Sequence, residues 1–223
     1  MPTLPVKKVK PSIVVPGLGL LELDSEDEVL MVHWLMEAES AGDIPRGGWE
    51  RVTEKTLLTP AVSGKFYSPP KEKGGPLQVK TRTAFGDSTY GADFRIRFVP
   101  DILSRYPGIC SQLLIPAPDN PMSGPGGVPG GYSPDGWLYV DVKPPRDKGK
   151  ILQIAFLRMK ILYDRTGMFT HPIIVDEFFR GTFAPRSVAL KPGGGVYAKY
   201  RLCQVRGLSG PPGGLKMPVS GLM

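Results

Sequence analysis

Glycine and proline punctuate this chain so densely that they decide where regular structure can form. There are 28 glycines and 25 prolines, together 53 of the 223 residues. Proline removes a backbone donor and blocks helix interiors, while glycine weakens helices and strands through its conformational entropy. The punctuation is clustered. Residues 1–20 hold four prolines, residues 117–136 read APDNPMSGPGGVPGGYSPDG, and the chain closes on RGLSGPPGGLKMPVSGLM. The pattern predicts a flexible, extended N-terminal arm over 1–20, one core domain over 21–206 with a mobile loop at 117–136, and a Gly/Pro-rich tail over 207–223. Apolar residues make up 41% of the chain, which is enough to build one core.

Between these breaks the periodicities are readable. Ser25 and Glu28 have capping-box spacing, and Asp24, Glu26 and Asp27 suit the positive end of a helix dipole. Val29, Leu30, Val32, Trp34, Leu35 and Met36 make the predicted helix, about 25–41, apolar around most of its circumference, and Gly42 is a suitable stop. VKTRTAF (79–85) and DFRIRFV (93–99) alternate with period two, and the turn signal GDSTYG between them predicts a hairpin. In that reading Phe94, Ile96 and Phe98 face inward. Residues 102–116 fit a short helix or a strand. GWLYVDVKPP (136–145) alternates again, with Leu138, Val140 and Val142 on one side. KILQIAFLRMKILYD (150–164), the most hydrophobic stretch, predicts a central strand, and VYAKYRLCQV (196–205) a closing one. Strands outnumber helices, so the fold class expected is α+β with a dominant antiparallel β-sheet and an N-terminal helix, or all-β.

The chemistry-bearing residues argue against catalysis. The two histidines and two cysteines are isolated: His33 lies in an apolar run, His171 precedes Pro172 in a turn-like stretch, and Cys110 and Cys203 are far apart. Nucleophilic, acid–base and zinc chemistry need such groups clustered or backed by partners. The glycine runs GPGGVPGG and PGGG lack the Lys-Ser/Thr of a phosphate-binding loop. No enzyme, cofactor or metal site is expected.

Charge points instead to an anionic partner. The chain carries 28 Lys+Arg against 21 Asp+Glu, a formal charge of +7, which suits lipid headgroups or nucleic acid. Lys7, Lys8 and Lys10 cluster near the N-terminus. The expected hairpin would bring Lys80 and Arg82 beside Arg95 and Arg97, since residues two apart share a strand face. These seven cations are the candidate membrane or nucleic-acid contacts. A dense arginine tail of the kind that packages genomes is absent from the sequence. No apolar run reaches the roughly 20 residues of a membrane span, and prolines break the N-terminal apolar stretch, so a secretory signal peptide is not expected.

The segment LRMKILYDRTGMFTHPIIVDEFFRGTF (157–183) resembles the C-terminal region of rhabdovirus matrix proteins of the vesiculovirus type. In that family a hydrophobic strand ends in Tyr-Asp, and a Pro-x-Ile-x-Asp-x-Phe stretch and a later Phe follow. The matching residues here are Tyr163, Asp164, Pro172, Ile174, Asp176, Phe178 and Phe183. The N-terminal arm has no Pro-Pro-x-Tyr budding motif; Tyr67-Ser-Pro-Pro has the order reversed. The resemblance implies a non-enzymatic virion protein that self-associates, binds the inner face of a host membrane electrostatically, and contacts the viral nucleocapsid during assembly and budding. It would be found in the virion and the host cytoplasm. RNA is a further candidate partner. The competing expectation is a small jelly-roll coat protein packaging nucleic acid, with strands at 79–85, 93–99, 137–142, 151–162 and 196–205.

Overall fold

A computed structural model describes residues 9–68, 78–113, 136–145 and 150–208 of the chain. Its first element is a hairpin, in which β1 (Ser12–Val15) pairs antiparallel with β2 (Gly19–Glu22). The reversal follows Pro16 and uses Gly17 and Gly19, whose φ angles of 84° and 83° favour glycine. The arm expected over 1–20 is therefore folded back from Ser12 onward, and residues 1–8 lie outside the described residues. The loop expected at 117–136 and most of the 207–223 tail lie outside them too.

Helix α1 (Glu26–Ser40) begins where its cap predicts. Ser25 is extended, its Oγ accepts from the Glu28 N–H at 3.2 Å, and the Glu28 carboxylate accepts from the Asp24 N–H at 3.2 Å. At the other end Gly42 N–H donates to the Glu39 carbonyl and Asp43 N–H to the Ala38 carbonyl, the paired bonds of a Schellman stop. Gly42 makes this possible through its φ of 74°. The helix buries Met31, Val32, Trp34, Leu35 and Ala38.

The main sheet runs in the order β10 (Thr170–Ile173), β9 (Leu138–Val142), β8 (Phe94–Ile96), β3 (Trp49–Arg51). The β10–β9 pairing is parallel and the other two are antiparallel. All five residues of β9 are buried. Leu138, Val140 and Val142 alternate as expected, but Tyr139 and Asp141 on the other face are covered as well. Two further sheets have two strands each: β4 (Thr56–Thr59) with β7 (Ser88–Tyr90), and β5 (Val62–Ser68) with β6 (Gln78–Phe85).

Several expectations are corrected. Residues 79–85 and 93–99 do not form a hairpin together. Strand β6 pairs with β5, the intervening GDSTYG carries β7, and β8 enters the main sheet. The stretch 150–164 is not a strand but helix α3 (Lys150–Thr166). Its buried residues Ala155, Met159 and Leu162 are four and three apart, one stripe of a helix, whereas Ile154 and Phe156 are exposed. Topology requires this, because parallel neighbours β9 and β10 need a long crossover and α3 supplies it. Residues 196–205 hold a short 3₁₀ turn (Ala198–Tyr200) and two isolated bridges instead of a strand. The jelly-roll sandwich thus lacks two of its five strands. Residues 102–113 take the helical option, as α2 (Ile102–Arg105) and a 3₁₀ turn (Pro107–Ser111). Most strand pairings are antiparallel, and the class is α+β.

The largest core lies between α1, the inner face of the sheet and α4 (Val175–Gly181). Trp34 is its centre. Its indole stacks on Phe183 at 5.3 Å between ring centroids and meets Phe178 edge-on at 4.8 Å. Helix α4 also approaches the 3₁₀ turn very closely. A Cβ at Gly108 would lie 2.5 Å from the Gly181 carbonyl oxygen, so only glycine fits there.

Candidate membrane-facing surface

The β5–β6 ribbon carries the two sheet cations that sequence reading paired. Its register sets Gly64 opposite Arg82 and Phe66 opposite Lys80, which places both basic positions on one face with Phe66. Lys65, opposite Thr81, and Val79, opposite Tyr67, belong to the other face. At its base Ala61 N–H donates to Asp87 Oδ1 at 2.6 Å, and Ser63 and Thr83 share a hydroxyl contact of 3.1 Å. A lone two-stranded ribbon has marginal stability in water, so an interacting surface would stabilise it.

Large apolar side chains stand out from this ribbon. Phe85 is 72% exposed, and Val62 and Val79 are each more than half exposed. Where the ribbon meets α3, a groove is lined by Val62, Phe85, Lys55 and Arg158. Helix α3 continues the theme with Leu157, 60% exposed, and with Ile154 and Phe156. Lys65, Lys80 and Lys160 are exposed, and none of these or Arg158 enters an ion pair among the described residues. Exposed apolar groups interleaved with uncompensated cations form a surface suited to an anionic lipid interface.

The remaining predicted contacts lie elsewhere. Arg95 and Arg97 sit on β8 and just after it, and their guanidiniums lie 4.6 and 4.1 Å from the Trp137 ring centroid. Arg95 Nε also donates to Glu50 Oε2 at 2.9 Å, and that bond raises its pKa. The four sheet cations expected on one face are therefore split between two sheets. Lys10 is held by Asp24 at 2.6 Å, a bond that raises the lysine's pKa and lowers the aspartate's. Lys7 and Lys8 lie outside the described residues. Lys65, Arg158 and the exposed face of α3 were missed, because a period-two reading of 150–164 concealed the helical stripe that separates buried from exposed positions.

The isolated reactive residues remain apart from one another in role. His33 on α1 bonds Ser187 Oγ through Nδ1 at 3.0 Å, and partial burial lowers its pKa. His171 is in β10, not a turn, buried edge-on against Phe169 at 4.7 Å. Cys110 is exposed, and Cys203 is buried with its thiol pKa raised by burial. Among the described residues no His, Cys, Asp and Glu group is placed to hold a metal ion, and no helix is long and apolar enough to cross a membrane.

One buried polar cluster is well built. Asp93 Oδ2 accepts from the Val142 N–H at 2.6 Å, while Asp141 accepts from the Tyr90 hydroxyl and from Lys143 Nζ, the latter at 2.6 Å. Burial first, and the neighbouring Asp141 second, push the Asp93 carboxyl up to about 8. The same causes raise Tyr90. The bonds tie β7 and the loop before β8 to β9.

No family model, curated protein or solved structure matches this chain. Of the residues carrying the matrix-protein resemblance, Phe178 and Phe183 are core residues around Trp34. Tyr163 and Asp164 end a helix here, where the resemblance implies a strand.

Proposed function

We propose that this protein is a non-enzymatic, matrix-type viral structural protein that docks peripherally on anionic membrane and self-associates there, linking nucleocapsid to the inner membrane face. The observation that carries the membrane part is the ribbon–α3 surface. Phe85 and Val62 stand exposed there with Arg158 in the groove and Leu157 exposed on α3, while Lys65 and Lys80 project from the two opposite faces of the ribbon. None of these cations has an acidic partner among the described residues. Each cation near an anionic bilayer contributes about 1 kcal/mol, and exposed apolar side chains add shallow insertion.

Self-association draws support from a second exposed apolar patch. The β1–β2 hairpin leaves Val14, Leu18 and Leu20 largely in solvent while Val15 anchors it in the core. The nucleocapsid link and the virion setting rest on the resemblance at 157–183 alone.

Sedimentation with vesicles tests the reading. Binding should rise steeply with the fraction of anionic lipid and fall as salt is added. Equal binding to neutral and anionic vesicles, or salt-sensitive binding to RNA with none to lipid, would contradict it. The second result would favour the nucleic-acid-packaging alternative.

A further inference from the structure

Helix α3 and strand β10 enclose a half-open cavity of about 510 Å³ beside α3's buried stripe, which contributes Met159 to its wall. Its walls are Phe156, Met159, Tyr163, Phe169, Pro172 and Ile174. A cavity of this size and apolar character matches the general form of small-molecule sites, which add a few polar groups to fix orientation. Here those groups are Gln112, Lys160, Thr170, His171 and Glu177. The Thr170 hydroxyl is buried, with the residue 2% exposed, and has no hydrogen-bond partner. Gln112 Oε1 already accepts from the Ile174 N–H at 3.0 Å, which leaves its NH₂ group as a donor. Lys160 stands exposed at the rim without an ion-pair partner among the described residues. Glu177 is the one acid in the lining.

We infer that this cavity binds a single-chain carboxylate amphiphile, a fatty acid, with its chain along the aromatic wall and its carboxylate at Lys160. An apolar wall demands an apolar chain of considerable length. The free Gln112 NH₂ group and the Lys160 ammonium suit an acceptor-rich head, and the ammonium selects a negative one. The inference does not depend on the membrane reading, since the ligand is a monomer in solution.

Calorimetric titration with laurate and with dodecanol, each below its aggregation limit, tests it. The two share a chain and differ in the head. The full chain should bind one laurate. Lys160→Ala, an exposed substitution by a good helix former, should weaken laurate by about fivefold and leave dodecanol within about twofold. Glu177→Gln should tighten laurate by removing like-charge repulsion. Failure of laurate to bind the unmodified protein would overturn the proposal. So would laurate affinities that neither substitution changes, or equal losses for laurate and dodecanol in Lys160→Ala.

Discussion

The Trp34 indole N–H donates to Thr182 Oγ1 at 3.1 Å across 148 positions of sequence, and both groups are buried. Thr182 in turn donates to the Phe178 carbonyl at 2.8 Å. The pair fixes α1 to the end of α4 within the aromatic core. Thr182→Val keeps the shape and removes the acceptor, leaving the indole donor unpaired. It should lower stability by about 1–3 kcal/mol, and in a Trp34→Phe background the same change should cost less. Urea unfolding of the four proteins gives the coupling directly.

Asp43 follows the α1 stop and is almost wholly buried, yet its two oxygens receive Arg105 at 2.9 Å and Arg206. Arg206 also lies over Phe183, 4.4 Å from its centroid. Asp43→Ala leaves a partly buried guanidinium uncompensated and should destabilise by about 3–5 kcal/mol. Thermal or chemical unfolding checks this; a loss below about 1 kcal/mol would show that the pair is dispensable.

The Asp93 carboxyl gives the stability a specific pH dependence. Its folded pKa, about 8, lies above the ordinary 3.8, so the native state holds a proton that the unfolded chain has lost. Stability contributed by the protonated form is therefore full below about pH 4 and declines as pH rises towards 8. The limiting slope is about 1.4 kcal/mol per pH unit. Asp93→Asn keeps an oxygen for the Val142 N–H and removes the titration. Its unfolding free energy should fall less between pH 5 and 8 than that of the unmodified chain.

Much of this fold was legible where local chemistry decides alone. The Ser25 cap, the Gly42 stop and the alternation of Leu138, Val140 and Val142 all stand where the sequence put them. The errors share a cause. In 150–164 apolar residues satisfy both a period of two and a helical stripe, and only the parallel partner β10 forces the helix. The false hairpin arose because β5, the true partner of β6, contains Gly64 and Ser68 and gives a weak strand signal. Of the candidate surface, Lys80 and Arg82 were read from alternation. The exposure of Phe85 and Leu157 is set by tertiary packing and has no local signature.

The exposed hairpin patch offers a test of self-association. Leu18→Ser with Leu20→Ser alters solvent-facing residues and spares Val15 and Leu23 of the core. The double variant should keep its unfolding midpoint within the small range of surface changes and form fewer oligomers in sedimentation velocity. Oligomers undiminished at equal concentration would remove this hairpin from the assembly.

On the proposed function, free cations on the ribbon, not basic residues in general, bring the protein to anionic membrane. Vesicle binding at low salt by Lys65→Gln/Lys80→Gln, compared with Lys10→Gln, tests it most directly. Lys10 is already neutralised by Asp24, whereas Lys65 and Lys80 have no acidic partner among the described residues. The expected result is a loss of about tenfold or more for the ribbon pair and less than about twofold for Lys10→Gln, with the difference shrinking as salt is raised. Equal losses in both proteins, or none in the ribbon variant, would contradict it.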